Sequence, residues 1–105
     1  MSYDKNNVFA KILRSEIPCK KIYEDNHVLA FPDLNPQARI HVLVISKGEY
    51  TCFMDLLEHA SPEEINGYFQ GIRKTAQTLG LKDTEFRLSF VGKDVPHIHA
   101  HILAD

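Results

Sequence analysis

The chain closes on "PHIHAHILAD", residues 96–105, where His97, His99 and His101 occupy alternate positions. An imidazole titrates near working pH, ligates metals and, when neutral, can attack phosphorus or an acyl carbon. Alternation is the period of a β-strand, so the three rings share one face and Ile98, Ala100 and Ile102 share the other. Neighbouring rings then stand about 6.7 Å apart along the strand, and the outer two roughly 13 Å. Zinc–nitrogen bonds of about 2.0–2.1 Å make it hard for a straight strand to bring all three onto one ion. A metal centre would need one His-x-His pair plus ligands from elsewhere, with His41 or Asp33 as candidates. A strand whose imidazoles are merely satisfied by hydrogen bonds is the plain alternative. It becomes harder with each added ring, because a buried polar group without a partner costs free energy. The third use is nucleophilic catalysis. One ring, held in the right tautomer by a fixed acceptor, attacks, while its neighbours hold substrate oxygens or pass a proton to the leaving group.

The elements that must position these rings are legible from pattern. In "NNVFAKILRSEIP", Val8, Phe9, Ile12 and Leu13 recur at helical spacing, with Asn6 or Asn7 as cap and Pro18 as terminator. "KKIYEDN" and "HVLAFPDL" read as two short strands about a turn at Asp25–Asn26. After the turn "NPQA", the run "RIHVLVISK" has branched apolar residues on both parities, which suggests a central strand covered on both faces. Residues 48–60 are ambiguous, with a short helix around "CFMDLLEHA" as the candidate. "SPEEINGYFQGIRKTAQTLG" is the clearest helix. Ser61 and Glu64 have capping-box spacing, Pro62 opens the first turn, and Gly80 can supply a left-handed cap. Inside it, Gly67 and Gly71 each cost about 1 kcal/mol against alanine. They mark either a close approach to another backbone, such as a partner helix, or a tolerated pair. "EFRLSFV" and "HIHAHILA" alternate and give the last two strands. Short connections favour antiparallel pairing, so an α+β fold is expected: about five antiparallel strands, an N-terminal helix and one long helix.

The 105 residues fit a single domain, 1–105. A net charge of -2 and a pI of about 6.3 lack the basic excess that general nucleic-acid or membrane-surface binding requires. Cys19 and Cys52 form no CxxC, which favours two reduced, partly buried thiols over a zinc knuckle or a disulfide framework. Lys5, Lys11, Arg14 and Glu16 interrupt any apolar run of signal length, and nothing approaches the about 20 apolar residues that span a bilayer. A cytoplasmic protein is expected.

"HIHAHIL" resembles the His-x-His-x-His-x-x signature of the histidine triad (HIT) superfamily, with apolar residues at the x positions. "NVFAKILRSEIPCKKIYEDNHVLAFPDLNPQARIHVLVISKGEY" is similar to the first half of its nucleotide-binding branch. The helix ending in "LGL" and the strand "FRLSF" extend the likeness over nearly the whole chain. The resemblance implies a homodimer with paired helices and a sheet continuing across the interface. It implies a purine nucleotide site that hydrolyses nucleoside phosphoramidates or related adenylates, with no metal or other cofactor. In that scheme His99 attacks the α-phosphorus and expels an amine, and water hydrolyses the nucleotidyl-histidine. His101 contacts the phosphate and the leaving group. His97 is structural, its backbone carbonyl fixing the tautomer of His99. His41 supports the phosphate end, or else is a packing residue beside Leu43 and Ile45. Asp33 holds the ribose hydroxyls, or is a turn residue before "NPQA". Leu34, Phe31, Phe9 and Val8 match the apolar walls of the base pocket, or are plain core. His27 and His59 match no site and are expected at the surface.

Two departures bear on function. Relatives in this branch carry a longer, glycine-rich loop before the triad, whereas "FVGKDVPH" is shorter and has only Gly92. Aligned from the histidines, Lys93 takes a glutamine's position and Asp94 that of a serine or glutamate, while the usual asparagine falls near Val91. Glycines let backbone N–H groups approach phosphate closely. Lys93 could offset their loss with a full charge, and an ionised Asp94 facing the phosphate would oppose binding. Alternatively, both belong to a solvated turn. The sequence also stops at Asp105, where relatives commonly continue into a tail that can line the neighbour's site, which leaves leaving-group specificity open. Three functions remain: a metal-independent nucleotidyl hydrolase, a nucleotide-binding or interaction protein of the same fold without turnover, and a metalloprotein built on a His-x-His pair.

Overall fold

A computed structural model describes residues 3–105. Helix α1 (Val8–Leu13) starts where the Asn7 side chain accepts from the Ala10 N–H at 2.9 Å. It stops at Leu13, well before Pro18. Ser15 takes the left-handed conformation at φ 63°, and the N–H groups of Ser15 and Glu16 return to the carbonyls of Ile12 and Lys11. This is a Schellman closure with serine where glycine is usual, so hydrogen-bonded capping, not the proline, ends the helix.

Strands β1 (Tyr23–Glu24) and β2 (Val28–Pro32) form the expected hairpin. Its turn is closed by Asp25, whose Oδ1 accepts from the N–H groups of His27 and Val28 at 2.7 and 3.0 Å. Strand β3 (Ile40–Ser46) follows, and the ambiguous stretch resolves into helix α2 (Phe53–His59). Helix α3 (Pro62–Thr78) carries the Ser61–Glu64 capping box, and Gly80 (φ 76°) provides its left-handed exit. Strands β4 (Arg87–Phe90) and β5 (His99–Ala104) complete an antiparallel sheet of order β1-β2-β3-β5-β4. The fold is α+β, and the histidine strand lies inside the sheet, between β3 and β4.

Each sheet face is covered differently. Val28, Ala30, Val42, Val44, Ala100 and Ile102 pack with α3 residues such as Tyr68 and Ile72. Leu29, Phe31, Leu43 and Ile45 pack under Phe9 of α1. Val42, Leu43, Val44 and Ile45 are therefore all buried, which accounts for the apolar residues on both parities of β3. The register sets Ile45 opposite His99 and Leu43 opposite His101, so the histidines join the α1 face.

The two helix glycines have a different cause from a partner helix. A Cβ on Gly67 would lie 2.4 Å from the His27 ring, and one on Gly71 would lie 2.6 Å from both Val28 γ-carbons. The close approach is to the protein's own hairpin. His27 is accordingly half-buried, not a free surface residue, whereas His59 is exposed and paired with Asp55 at 2.7 Å. Cys19 and Cys52 are free and half-buried. Among the described residues, no helix is long and apolar enough to cross a membrane.

Candidate active site

A cleft of about 790 Å³ opens between α1, the turn after β2 and the histidine face of the sheet. Phe9, Phe31 and Val8 line its apolar side, and Leu34, 94% exposed, stands at its mouth. The Phe9 ring meets Phe31 edge-on at 5.8 Å and His99 at 5.0 Å, so one phenyl group joins the apolar wall to the triad.

The protonation pattern of the histidines follows from their partners. His99 is 4% exposed, and its Nδ1 lies 2.8 Å from the backbone carbonyl of His97. A carbonyl only accepts, so Nδ1 carries the hydrogen and the neutral ring keeps its lone pair on Nε2. His41 is fixed from the other side. The Gln37 N–H donates to its Nδ1 at 2.9 Å, so its hydrogen sits on Nε2, which lies 2.9 Å from Nδ1 of His101. His101 Nδ1 is then an acceptor and its own hydrogen is on Nε2. That atom is buried and has no hydrogen-bond partner among the described residues, an unmet donor beside the cleft that His101 lines. Burial pushes the His101 pKa below the ordinary imidazole value, and His99 and His41 push the same way, while Asp33 and Asp94 oppose them.

His97 does not line the cleft. Its ring is wholly buried behind His99, with Nε2 donating to the Ser46 carbonyl at 2.6 Å and Nδ1 accepting from the Tyr3 hydroxyl at 2.5 Å. Burial is the main reason its pKa is lowered. Asp33 is positioned by its own N–H, which donates to the His41 carbonyl at 3.0 Å. One carboxylate oxygen closes a local turn on the Asn35 N–H, and the other lies 3.4 Å from His41 Nε2. The two readings of Asp33 are thus compatible: it serves the turn and also faces the cleft.

The loop before β5 is divided. Asp94 is exposed on the cleft rim. Gly92 instead borders a smaller cavity of about 200 Å³ beside Cys52 and Phe53, and the exposed Lys93 lines neither. The structure therefore does not bring Gly92 and Lys93 to the lining of the cleft. One further grouping differs from expectation. The candidate ligand atoms that come together, within 4.8 Å of one another, belong to Asp33, His41 and His101, not to a His-x-His pair. Among the described residues His101 is the one triad ring that takes part. A metal there would have to replace the His41–His101 hydrogen bond.

Several contributors carry no signal in residue type. Gln37 and Ser46 act through backbone groups, and Tyr3 lies at the opposite end of the chain. Ser89, directly across from His101 and lining the cleft, could have been found, since its parity in "FRLSFV" opposes that of Leu88 and Phe90.

An antiparallel sheet offering individually tethered imidazoles of His41, His99 and His101 to one cleft defines a histidine-based class of site. The HIT domain family model matches residues 14–105, and the chain belongs to the HIT family. It is 48% identical over 108 residues to a HIT-like protein of Azospirillum brasilense, covering 98% of this chain and 88% of that protein. It is 40% identical to a HIT-like protein of Rickettsia prowazekii, covering 96% and 88%. Among solved structures, a HIT family hydrolase from Legionella pneumophila superposes with a TM-score of 0.83 at 36% identity, covering 94% of this chain and 92% of that one.

Proposed function

We propose that the protein is a purine nucleotide-binding hydrolase that cleaves nucleoside phosphoramidates or related adenylates through a covalent nucleotidyl-histidine, without a metal. The observation that carries this reading is the His99 tautomer. Its Nδ1–H is held by the His97 carbonyl, so its free lone pair is on Nε2 beside the cleft. A cleft of about 790 Å³ has the size of a small-molecule site. The base lies between Leu34, Val8, Phe9 and Phe31, and the ribose hydroxyls meet Asp33. Nε2 of His99 bonds to the α-phosphorus as the phosphorus–nitrogen bond to the amine breaks, and the amine takes the electron pair and a proton from solvent water in the cleft. His101 serves that end of the site through its unpartnered Nε2. His41 orients His101 through their shared hydrogen bond. Water then displaces His99 and releases the nucleoside monophosphate. The acting form in this reading is a homodimer, supported by the place of β4 at the edge of the sheet and by Leu88, 43% exposed on it.

The test is turnover of adenosine 5′-phosphoramidate. Wild type should release AMP, acid quenching should trap the nucleotidyl-enzyme, and His99→Ala should lose about 10⁴-fold or more in kcat. Turnover should survive chelation. A wild type with no turnover, or a variant with full rate, overturns the mechanism. One observation favours a second reading, a nucleotide-binding protein without turnover. With Gly92 and Lys93 off the cleft and Asp94 on its rim, the loop offers little to a phosphate. AMP binding with no phosphoramidate hydrolysis would support it.

A further inference from the structure

We infer that Tyr3 is a positioning residue for the triad, acting through the ring of His97 on the nucleophile-bearing ring of His99. The inference rests on the hydrolase reading only for its kinetic consequence. Strand β5 begins at His99, so the carbonyl that holds His99 belongs to a residue outside the sheet ladder. The His97 N–H is spent on the Val95 carbonyl in a tight local turn, and the next anchor is the Ile98 N–H on the Tyr50 carbonyl. What fixes His97 itself is its side chain. The ring is wholly buried and both nitrogens are tied: Nε2 donates to Ser46 at the end of β3, and Nδ1 accepts from Tyr3.

The direction of these bonds is forced. The Ser46 carbonyl accepts, so Nε2 carries the hydrogen. In a neutral ring Nδ1 is then a bare acceptor, and the Tyr3 hydroxyl must donate to it. The two tyrosine–histidine rings also meet edge-on at 5.5 Å. Without the hydroxyl, a buried acceptor is left without its partner, which is costly. The ring is then held from one side only. Its carbonyl, 2.8 Å from His99 Nδ1, is then restrained only through the Ile98 N–H of the same planar peptide, which bonds to the Tyr50 carbonyl, so the tautomer and aim of His99 are less firmly set. Tyr3 does not line the cleft, so its removal should leave nucleotide contacts intact.

The experiment is Tyr3→Phe in the full chain, alone and on a His97→Gln background that has no Nδ1 to receive the hydroxyl. Adenosine 5′-phosphoramidate kinetics should show kcat lowered roughly tenfold at unchanged KM for Tyr3→Phe. On the His97→Gln background the same substitution should cost nothing further, because the two act as one unit. In ¹⁵N-histidine spectra, Tyr3→Phe should move the His97 Nδ1 resonance towards that of an unbonded acceptor and lower the fraction of His99 carrying its hydrogen on Nδ1. Full kcat in Tyr3→Phe, or an equal loss on both backgrounds, overturns the inference, since equal losses indicate packing alone. The spectra need no turnover. Unchanged His97 and His99 signals overturn it even if no substrate is ever cleaved. Shifted signals in a protein that cleaves nothing uphold the linkage and place the failure in the hydrolase reading.

Discussion

His101 accepts at Nδ1 and His97 is wholly buried, both of which favour the neutral ring, and this links the site to pH. Burial lowers both pKa values below the ordinary value of about 6.5. As pH falls through that value the unfolded chain takes up protons that the native protein does not, so native stability falls with it. The contribution is fully present above about pH 6.5 and is lost as pH drops towards the folded-state values. Urea midpoints should therefore be level from about pH 7 to 8 and decline between about pH 6.5 and 5, with a shallower decline in His97→Gln. A wild-type midpoint unchanged down to about pH 5 would refute this. At this scale the sequence is informative where the signal is periodic. Alternation puts His99 and His101 on one face of β5, as a strand must, but the strand begins at His99, so the expected place of His97 on the same strand is not met: it lies in the turn before it. The partners that set each tautomer are hidden, because they are a main-chain N–H, a carbonyl 51 residues away and a hydroxyl 94 residues away. Main-chain groups have no residue type to announce them.

Among the elements, the sheet and the long helix are legible for local reasons. The capping box, the proline at the first turn and the left-handed glycine of α3 all act within a few residues of sequence. The end of α1 is not, since a serine in the left-handed region has little sequence signature and Pro18 offers a stronger but misleading one. Gly67 and Gly71 are visible as anomalies, yet what they approach depends on how the hairpin lies across α3. Their substitutions should differ. Alanine at Gly71 gains about 1 kcal/mol of helix propensity but overlaps the wholly buried Val28, and overpacking costs typically about 1–3 kcal/mol. Gly71→Ala should therefore destabilise, by about 1–2 kcal/mol at the upper end of that range. Gly67→Ala meets the ring of His27, which is half-buried and can swing outward, so its net change should be smaller. Equilibrium urea denaturation decides between them. Equal effects would mean that the hairpin yields as easily at Val28 as at His27.

For the whole molecule, the outer edge of β4 is the feature a monomer leaves unexplained. It is the last strand of the sheet, with a row of unpaired backbone groups along its free side. Leu88, 43% exposed, lies on the same side of this strand as Phe90, whose ring contacts Phe53 of α2 at 5.1 Å. Met54 and Leu57 of that helix are 59% and 43% exposed. An open strand edge carrying the exposed Leu88 suits a second copy of the same chain, joined by an isologous contact that pairs like with like. The association would also bear on chemistry, because Val91, next to this edge, lines the cleft and leads into the loop before the triad. Sedimentation equilibrium should give wild type a mass about twice the 12.0 kDa of one chain, as expected for an isologous dimer. Leu88→Lys places a charge on the exposed edge and should return the protein to 12.0 kDa with an unchanged circular dichroism spectrum. A wild type that stays monomeric at high concentration would exclude the homodimer. A Leu88→Lys variant that stays dimeric would move the interface away from β4, and with it any influence of the second copy on the loop that leads to His97.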